Sequence, residues 1–356
     1  MKKICFLLPG PTSQPAGGYK VVYEYANRLA KDGYKVSIYY ANSMFCVRYS
    51  LLQRFKKVVK FFLYSLSGMF RVKWFHLGDV KEVFGTRYNK RFLSSNDILI
   101  CSFIDTAIAV HELGLDKTNK CMYLIQDFES WIPFTEKQVY ESYKFNMKKI
   151  VVSPWLLNKV YEAGEQATLI YNGLDFDYFS LSEPIRERNP FEIAVMYHER
   201  PSKRFSDSFA ALKIVKKRYP LLHVNMFGVF KKPVDLPDWI SYYEKPSKEL
   251  HNSIYNKSAI YIAASDIEGF GLTVAEAMIC GCAIACTDNE GFKCMVEHEK
   301  TGLLSPIYDY EALAANIVLL IENKENRFNF AENGNKTIKM FNWEIAYKQF
   351  KDLIEE

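Results

Sequence analysis

The stretch Ala259-Ile-Tyr-Ile-Ala-Ala-Ser265, followed closely by Glu268-Gly-Phe-Gly-Leu-Thr-Val-Ala-Glu276, decides the fold of this chain. Its first part is apolar and predicts a buried strand. A glycine-containing turn comes next, and Leu272–Cys280 then predicts a helix that ends before Gly281. A strand, a turn and a helix in this order are typical of one unit in a parallel sheet that helices cover.

Two carboxylates, Glu268 and Glu276, stand eight positions apart across the same turn. Gly269 and Gly271 let the backbone come close to a ligand, and the free N–H groups at a helix start attract phosphate. Carboxylates are strong hydrogen-bond acceptors for sugar hydroxyls. The combination predicts a nucleotide-sugar site. The alternative is that Glu268 only stabilises a helix N-terminus and that Glu276 is an ordinary surface residue.

Short β-rich segments alternate with helical segments along both halves of the chain. This pattern predicts two doubly wound α/β domains with parallel sheets, at residues 1–180 and 181–341, and a terminal amphipathic helix at 342–356. The predicted strands are Lys3–Leu8, Lys35–Ala41, Asp97–Ser102, Lys120–Gln126, Lys149–Ser153, Ala167–Tyr171, Glu192–Tyr197, His223–Phe227, Ile240–Tyr243, Ala259–Ala264 and Ala283–Cys286. The predicted helices include Tyr19–Lys31, Asp105–Leu113, Glu136–Met147, Trp155–Glu162, Phe205–Arg218, Lys248–Tyr255 and Thr273–Ile279.

The composition is that of a soluble globular protein, with 49% hydrophobic and 24% charged residues. The N-terminus is too short and too strand-like for a signal peptide, so we expect a cytoplasmic protein with reduced cysteines. No GxGxxG sequence occurs, which argues against a dinucleotide oxidoreductase. We expect no nucleic-acid partner.

Positive charge is concentrated in the first half of the chain, where residues 1–180 hold 24 basic against 16 acidic side chains. Within this half, Leu51–Leu63 places apolar residues at helical spacing. Basic residues fall largely between them, namely Arg54, Lys56, Lys57 and Lys60. The pattern predicts a basic amphipathic helix that lies on an anionic membrane surface. A helix docked on the first domain, with a solvated basic face, is the alternative.

These features together resemble the retaining glycosyltransferases of family 4, which have the GT-B fold. Glu268 and Glu276 match the Glu-x7-Glu motif of that family, and Tyr171-Asn-Gly-Leu-Asp175-Phe-Asp-Tyr-Phe179 is similar to its domain-junction signature. Gly17-Gly18 matches an early Gly-Gly pair, although a plain turn is the alternative there. The resemblance implies two Rossmann-like domains facing a cleft, with the terminal helix crossing back to the first domain.

The resemblance also implies roles for matching residues of the second domain. Glu268 would contact the donor sugar and Glu276 the ribose hydroxyls. An Arg/Lys pair that neutralises the diphosphate would be Arg200 and Lys203, whereas Arg204 occupies the place of the usual glycine. A solvated basic loop is the alternative reading of this segment. The remaining donor-binding residues would be Gly269, Phe270, Gly271, Leu272 and Thr273 of the second domain, and Gly17 and Gly18 of the first.

The first domain departs from the family pattern because no histidine follows its central strand. The sequence there, Leu124-Ile-Gln-Asp127-Phe-Glu129, resembles a subgroup that includes rhamnosyltransferases of bacterial surface glycans. We expect Asp127 to orient an acceptor hydroxyl, with Glu129 and Asp105 as further acceptor-binding candidates. The alternative is that Asp127 and Glu129 only cap the segment that follows them.

The resemblance therefore implies a retaining hexosyltransferase that takes its sugar from a nucleotide diphosphate. The sugar would be a hexosyl or deoxyhexosyl unit, rhamnosyl in the subgroup. The acceptor would be a glycan, expected to be lipid-linked at the inner face of a bacterial membrane, in cell-surface polysaccharide synthesis. No cofactor and no metal are expected, since protein cations can replace Mg²⁺. The alternatives are a sugar-nucleotide epimerase of the same architecture and a non-catalytic subunit that binds nucleotide or lipid.

Overall fold

The computed structural model describes residues 1–41, 55, 58–59, 63, 72–130 and 133–356. The chain divides into two compact units. Unit 1 comprises Met1–Asn172 and Glu344–Glu356, and unit 2 comprises Gly173–Trp343. The sequence places its two boundaries after residues 180 and 341, whereas these units divide after Asn172 and Trp343.

Unit 1 contains a seven-stranded sheet in the order β3-β2-β1-β4-β5-β6-β7. All of its neighbouring strands pair in parallel, as expected when helices connect them. Its strands are β1 (Lys3–Pro9), β2 (Lys35–Ala41), β3 (Lys81–Gly85), β4 (Ile98–Cys101), β5 (Lys120–Ile125), β6 (Lys148–Val151) and β7 (Ala167–Leu169). The helices are Gly17–Lys31, Lys90–Leu93, Ile104–Glu112, Glu136–Tyr143 and Pro154–Glu162.

The C-terminal helix Trp343–Glu355 belongs mainly to unit 1. Its Phe350 is fully buried and stacks on Tyr25 and Phe6, with ring centroids 4.1 and 6.4 Å away. Tyr347 donates a hydrogen bond to Asp32 over 2.7 Å. The apolar stripe that the sequence shows along this helix is therefore buried against the first unit, as the GT-B resemblance implies.

Unit 2 contains a six-stranded parallel sheet in the order β10-β9-β8-β11-β12-β13. Because both faces are covered by helices, its central strands are almost continuously apolar. The strands are β8 (Glu192–Met196), β9 (His223–Gly228), β10 (Ile240–Glu244), β11 (Ile260–Ala263), β12 (Ala283–Thr287) and β13 (Gly302–Ser305). The helices are Phe205–Arg218, Lys248–Lys257, Leu272–Ile279, Tyr310–Glu322 and Lys324–Thr337.

Each sheet reverses its winding direction once. In unit 1 the reversal lies between β1 and β4, and in unit 2 it lies between β8 and β11. In open parallel sheets, ligands bind beyond the carboxyl ends of the strands at such a point, because the two following loops diverge there. The predicted residues Lys203 and Glu268 follow β8 and β11. Gly17-Gly18 and Asp105 follow β1 and β4, whereas Asp127 and Glu129 follow the neighbouring strand β5.

Several elements differ from the expectations. The short strands β3 and β13 and the helices Tyr310–Glu322 and Lys324–Thr337 were not predicted. The helix predicted to reach Met147 ends at Tyr143, since the Met147 N–H bonds to the Phe145 carbonyl instead of a carbonyl four residues back. Within the described residues, no helix is both long and apolar enough to cross a membrane. The basic residues of the predicted membrane helix, Arg54, Lys56, Lys57 and Lys60, lie outside the described residues.

Candidate active site

The candidate site of unit 2 is built by the two loops at the winding reversal. After β8 the chain forms a short 3-10 turn at Pro201–Lys203, and the helix Phe205–Arg218 begins directly behind it. After β11 a loop through Glu268 leads into the helix Leu272–Ile279. The backbone N–H of Asp266 donates to the Ser202 carbonyl over 3.0 Å, which ties the two loops together.

Lys203 and Glu268 form an ion pair at this edge. The Lys203 Nζ lies 2.6 Å from Glu268 Oε1, and the two side chains are only 20% and 12% exposed. Two residues that the sequence analysis named separately, 65 positions apart, are therefore brought into direct contact. An ammonium held beside a carboxylate can bind an anionic group while the carboxylate accepts hydroxyl hydrogen bonds.

His198 supports the same loop, although it was not among the site residues predicted from the sequence. Its Nδ1 accepts a hydrogen bond from the Arg200 N–H over 2.9 Å, and its ring packs edge-on against Phe230 at 4.9 Å. Burial, together with the positive charges of Lys203 and Arg200, lowers the pKa of His198 to about 4. The imidazole is therefore neutral at physiological pH and acts as an acceptor for the loop backbone.

Two glycines shape the start of the helix Leu272–Ile279. Gly271 has φ +99°, a conformation that favours glycine, and a Cβ there would lie 2.6 Å from the Phe292 ring. Gly291 lets the next loop approach closely, since its Cβ would lie 2.3 Å from the carbonyl oxygen of Glu268. The side chain of Phe270 is buried against Phe341, so only its backbone can meet a ligand. The sequence alone does not point to Gly291, because this contact joins two loops that are distant in the chain.

Glu276 lies on the same helix and receives a hydrogen bond from a buried tyrosine. The Tyr255 hydroxyl is 3.3 Å from both Glu276 Oε2 and the Thr273 carbonyl. Burial, followed by the charge of Glu276, raises the pKa of Tyr255 well above its ordinary value, so the hydroxyl remains a donor. Tyr178, from the predicted junction signature, has its pKa raised to about 12 by burial and then by Glu276.

The Arg204 side chain contacts residues other than Lys203 and Glu268. Its Nε and Nη2 donate to the Asp207 carboxylate over 2.9 and 3.1 Å. Its guanidinium carbon lies 4.6 Å from the ring centroid of Tyr308. The backbone of Arg204 has φ +47°, in the left-handed region, which agrees with the glycine that the resemblance places at this position.

The candidate site of unit 1 begins where the helix Gly17–Lys31 follows β1. Ala16 supplies no side-chain cap to this helix. The Gly18 carbonyl accepts a hydrogen bond from Gln126 Nε2 over 3.0 Å, and a Cβ at Gly18 would meet Gln126 and Phe103 at an ordinary 3.5 Å. Packing within unit 1 thus leaves room for a side chain at Gly18.

The three acidic residues of unit 1 that the sequence singled out differ in their burial and in their hydrogen bonds. Glu129 is buried, and its Oε2 accepts a short hydrogen bond from the Ile104 N–H, at the start of the helix Ile104–Glu112. Asp105 is buried in the first turn of that helix. Asp127 is half-buried, and its Oδ1 accepts from the Phe128 N–H over 2.9 Å. Glu129 therefore stabilises the start of a helix that precedes it in the chain, whereas the alternative drawn from the sequence was a cap on the segment that follows it.

Among the residues that the structure describes, metal-ligating side chains do not gather at either site. In the described part of the chain, no group of three or more His, Cys, Asp or Glu side chains is arranged to hold a metal ion. The described cysteines are free thiols, and all except Cys294 are buried.

Comparison with known proteins links unit 2 to an enzyme family. Residues 186–337 match the family described as "Glycosyl transferases group 1". The matched range contains both loops of the candidate site and the helix that carries Glu276. It stops before the C-terminal helix and does not include unit 1.

Curated relatives match only parts of the chain. A phosphatidyl-myo-inositol mannosyltransferase of Mycolicibacterium smegmatis is 22% identical over 203 residues, which are 54% of this chain and 52% of that protein. The amylovoran biosynthesis glycosyltransferase AmsK of Erwinia amylovora is 26% identical over 117 residues, which are 31% of this chain and 29% of that protein. The chain thus spans about half the length, or less, of these two relatives.

Solved structures match the whole chain. Sucrose-phosphate synthase of Thermosynechococcus elongatus superposes with a TM-score of 0.74 at 15% identity, covering 100% of this chain and 98% of its own. HepE of Anabaena, solved in complex with UDP and glucose, gives a TM-score of 0.75 at 15% identity and covers 100% of both chains. At these identities the likeness shows the fold, which is GT-B.

Proposed function

We propose that this chain is a glycosyltransferase that binds a nucleotide-diphosphate sugar in unit 2. The observation that carries the proposal is the Lys203–Glu268 pair beside the uncapped start of the helix Leu272–Ile279. Cleavage of a sugar–phosphate bond builds negative charge on the diphosphate, and an ammonium with free helix N–H groups stabilises such charge. The family match over residues 186–337 supports the same assignment.

In the proposed mechanism, Lys203 and Arg200 neutralise the leaving diphosphate. Glu268 accepts hydrogen bonds from the donor sugar, and Glu276, oriented by Tyr255, accepts them from the ribose. We propose retention of configuration, with the leaving phosphate taking the acceptor proton, and no requirement for a divalent metal. Turnover that persists in excess EDTA would support the last point, whereas loss of turnover that Mn²⁺ restores would contradict it.

A thermal-shift panel of UDP-, dTDP- and GDP-sugars tests donor binding. A ligand at 100 times its dissociation constant should stabilise the fold by about 2.7 kcal/mol. We expect sugars of one nucleotide to raise the melting temperature, and we expect this rise to be smaller in Glu276→Ala. Glu297→Ala, which changes an exposed acid of unit 2, is the matched control and should show the same rise as the wild type. A nucleotide sugar that raises the melting temperature can then be tested as a substrate in a turnover assay.

The turnover products separate the candidate reactions. A transferase moves the labelled sugar to an acceptor and releases the nucleoside diphosphate. An epimerase returns a changed nucleotide sugar without any acceptor. A non-catalytic binding subunit shows donor binding but neither product, and that result would overturn the proposal.

For the acceptor we propose a lipid-linked glycan at an anionic membrane surface, with Asp127 as the group in unit 1 that orients the acceptor hydroxyl. A rhamnosyl donor and a role in bacterial surface-polysaccharide synthesis follow from the subgroup resemblance and are part of the same proposal. Phe55, Val59 and Leu63 have helical backbone and are 66%, 40% and 60% exposed. A spacing of four residues is the spacing at which side chains share one face of a helix, and it is part of the pattern that predicts an interfacial helix from the sequence of Leu51–Leu63.

Vesicle flotation tests the membrane part of the proposal. Replacing Arg54, Lys56, Lys57 and Lys60 with Ser should abolish binding to vesicles that contain phosphatidylserine. Phe55→Ser should weaken the same binding, whereas Leu221→Ser, at an exposed apolar residue of unit 2, should leave it unchanged. Equal binding by all variants would contradict the membrane proposal without affecting the donor site.

A further inference from the structure

Arg204 and Tyr308 both hold backbone conformations that L-residues rarely adopt. Arg204 has φ +47° and Tyr308 has φ +69°. For a bulky side chain such a conformation is strained, and it persists only where the surrounding contacts hold it. Tyr308 is also 61% exposed, so burial in a core does not explain its position.

The contacts that hold these residues form a continuous chain across three loops. The Tyr308 hydroxyl, from the loop after β13, donates to Asp266 Oδ2 over 3.2 Å, in the loop after β11. The Tyr308 ring lies under the Arg204 guanidinium, and Arg204 in turn pairs with Asp207. The Asp266 N–H donates to the Ser202 carbonyl, within the turn that carries Lys203.

From these contacts we infer that Arg204, Asp207, Tyr308 and Asp266 form a clamp that positions Lys203 beside Glu268. Arg204 is then a positioning residue rather than a ligand of the donor phosphates, because its guanidinium is occupied on one side by Asp207 and on its face by Tyr308. Lys203 directly precedes Arg204 in sequence, so a change in the Arg204 backbone moves the ammonium. The kinetic part of this inference rests on the proposed transferase function, whereas the structural part does not.

The structural part is tested by the reactivity of the Lys203 amine without any nucleotide. Limited acetylation with N-hydroxysuccinimide acetate, followed by peptide mass spectrometry, measures how often the ammonium leaves Glu268. We expect Tyr308→Ala and Arg204→Gly to raise the Lys203 rate about two- to fivefold, as the loss of one exposed cation–π contact implies. Glycine is chosen at position 204 because it relieves the left-handed strain and preserves the fold.

Controls make this result decisive. Glu268→Gln should raise the Lys203 rate and so proves that the assay senses the ion pair. Tyr310→Ala, at a half-exposed tyrosine two positions beyond Tyr308, should leave the rate unchanged. If Glu268→Gln raises the rate while Tyr308→Ala and Arg204→Gly do not, the clamp is overturned. Melting temperatures verify that every variant is folded.

The kinetic part uses a double-mutant cycle with the donor. Tyr308→Ala and Arg204→Gly should each raise the donor KM in the wild type but have no further effect in a Lys203→Ala background, because they act through that lysine. An additive effect of Arg204→Gly would show that Arg204 contacts the diphosphate itself and would overturn its positioning role. If the protein turns over no donor but the clamp variants are acetylated faster at Lys203, the proposed function is rejected and the clamp is still supported.

Discussion

Neutralising Glu268 should tighten the binding of a nucleoside diphosphate while slowing sugar transfer. In the free protein the Glu268 carboxylate lies 2.6 Å from the Lys203 ammonium and competes with phosphate for it. Glu268→Gln keeps the shape and hydrogen-bonding capacity of the side chain but removes its charge. The variant therefore separates the electrostatic effect of this acid from its contact with the donor sugar.

The size of the effect follows from the geometry. A phosphate oxygen on the opposite side of the ammonium would lie about 5 Å from the carboxylate, given ordinary charge-assisted hydrogen-bond lengths. The Coulomb repulsion between unit charges at that separation is about 3 kcal/mol at an effective dielectric constant of 20 and about 1 kcal/mol in bulk water. Removing it should lower the dissociation constant by about 5- to 150-fold.

Isothermal titration calorimetry with UDP, dTDP and GDP measures this change directly. Glu297→Gln serves as the control, because Glu297 is an exposed acid of the same unit that pairs with Lys300. Its affinity should equal that of the wild type. Weaker or unchanged binding by Glu268→Gln would refute the reasoning, since the carboxylate would then not oppose the diphosphate.

Three further perturbations probe the same loops. Lys203→Ala should lower the donor turnover number by about 10²- to 10³-fold, the loss typical for one contact to developing negative charge; steady-state kinetics checks it. Gly291→Ala should destabilise unit 2 by about 1–3 kcal/mol through overpacking, since its Cβ would lie 2.3 Å from the Glu268 carbonyl oxygen. Urea unfolding should show no such loss for Gly18→Ala, whose nearest contact is 3.5 Å. The pKa of His198 is about 4 in the folded protein against an ordinary 6.5, so the unfolded chain takes up this proton at a higher pH than the folded chain. The free energy of unfolding should therefore decrease as the pH is lowered from about 6.5 to about 4, and it should decrease less in His198→Gln.

The sequence by itself determined the local architecture of the donor site. Apolar runs of strand length, helical periodicity and the glycines around Glu268 predicted a strand, a turn and a helix, and the structure has β11, a turn and the helix Leu272–Ile279 there. These signals are local, so they depend on neighbouring residues only. Elements with weak local signals, such as β3 and β13, were not predicted, because four or five residues at a sheet edge carry little periodicity.

Only the tertiary structure decided which side chains meet. The pairing of Lys203 with Glu268 joins residues 65 positions apart, and the contact of Arg204 with Tyr308 joins two loops that follow different strands. The sequence showed Arg204 as a departure at a glycine position, and the fold shows why it is tolerated there. The physical reason is that parallel strands deliver distant segments to one edge of the sheet, where their side chains pair according to the three-dimensional arrangement of the loops and not their order in the chain.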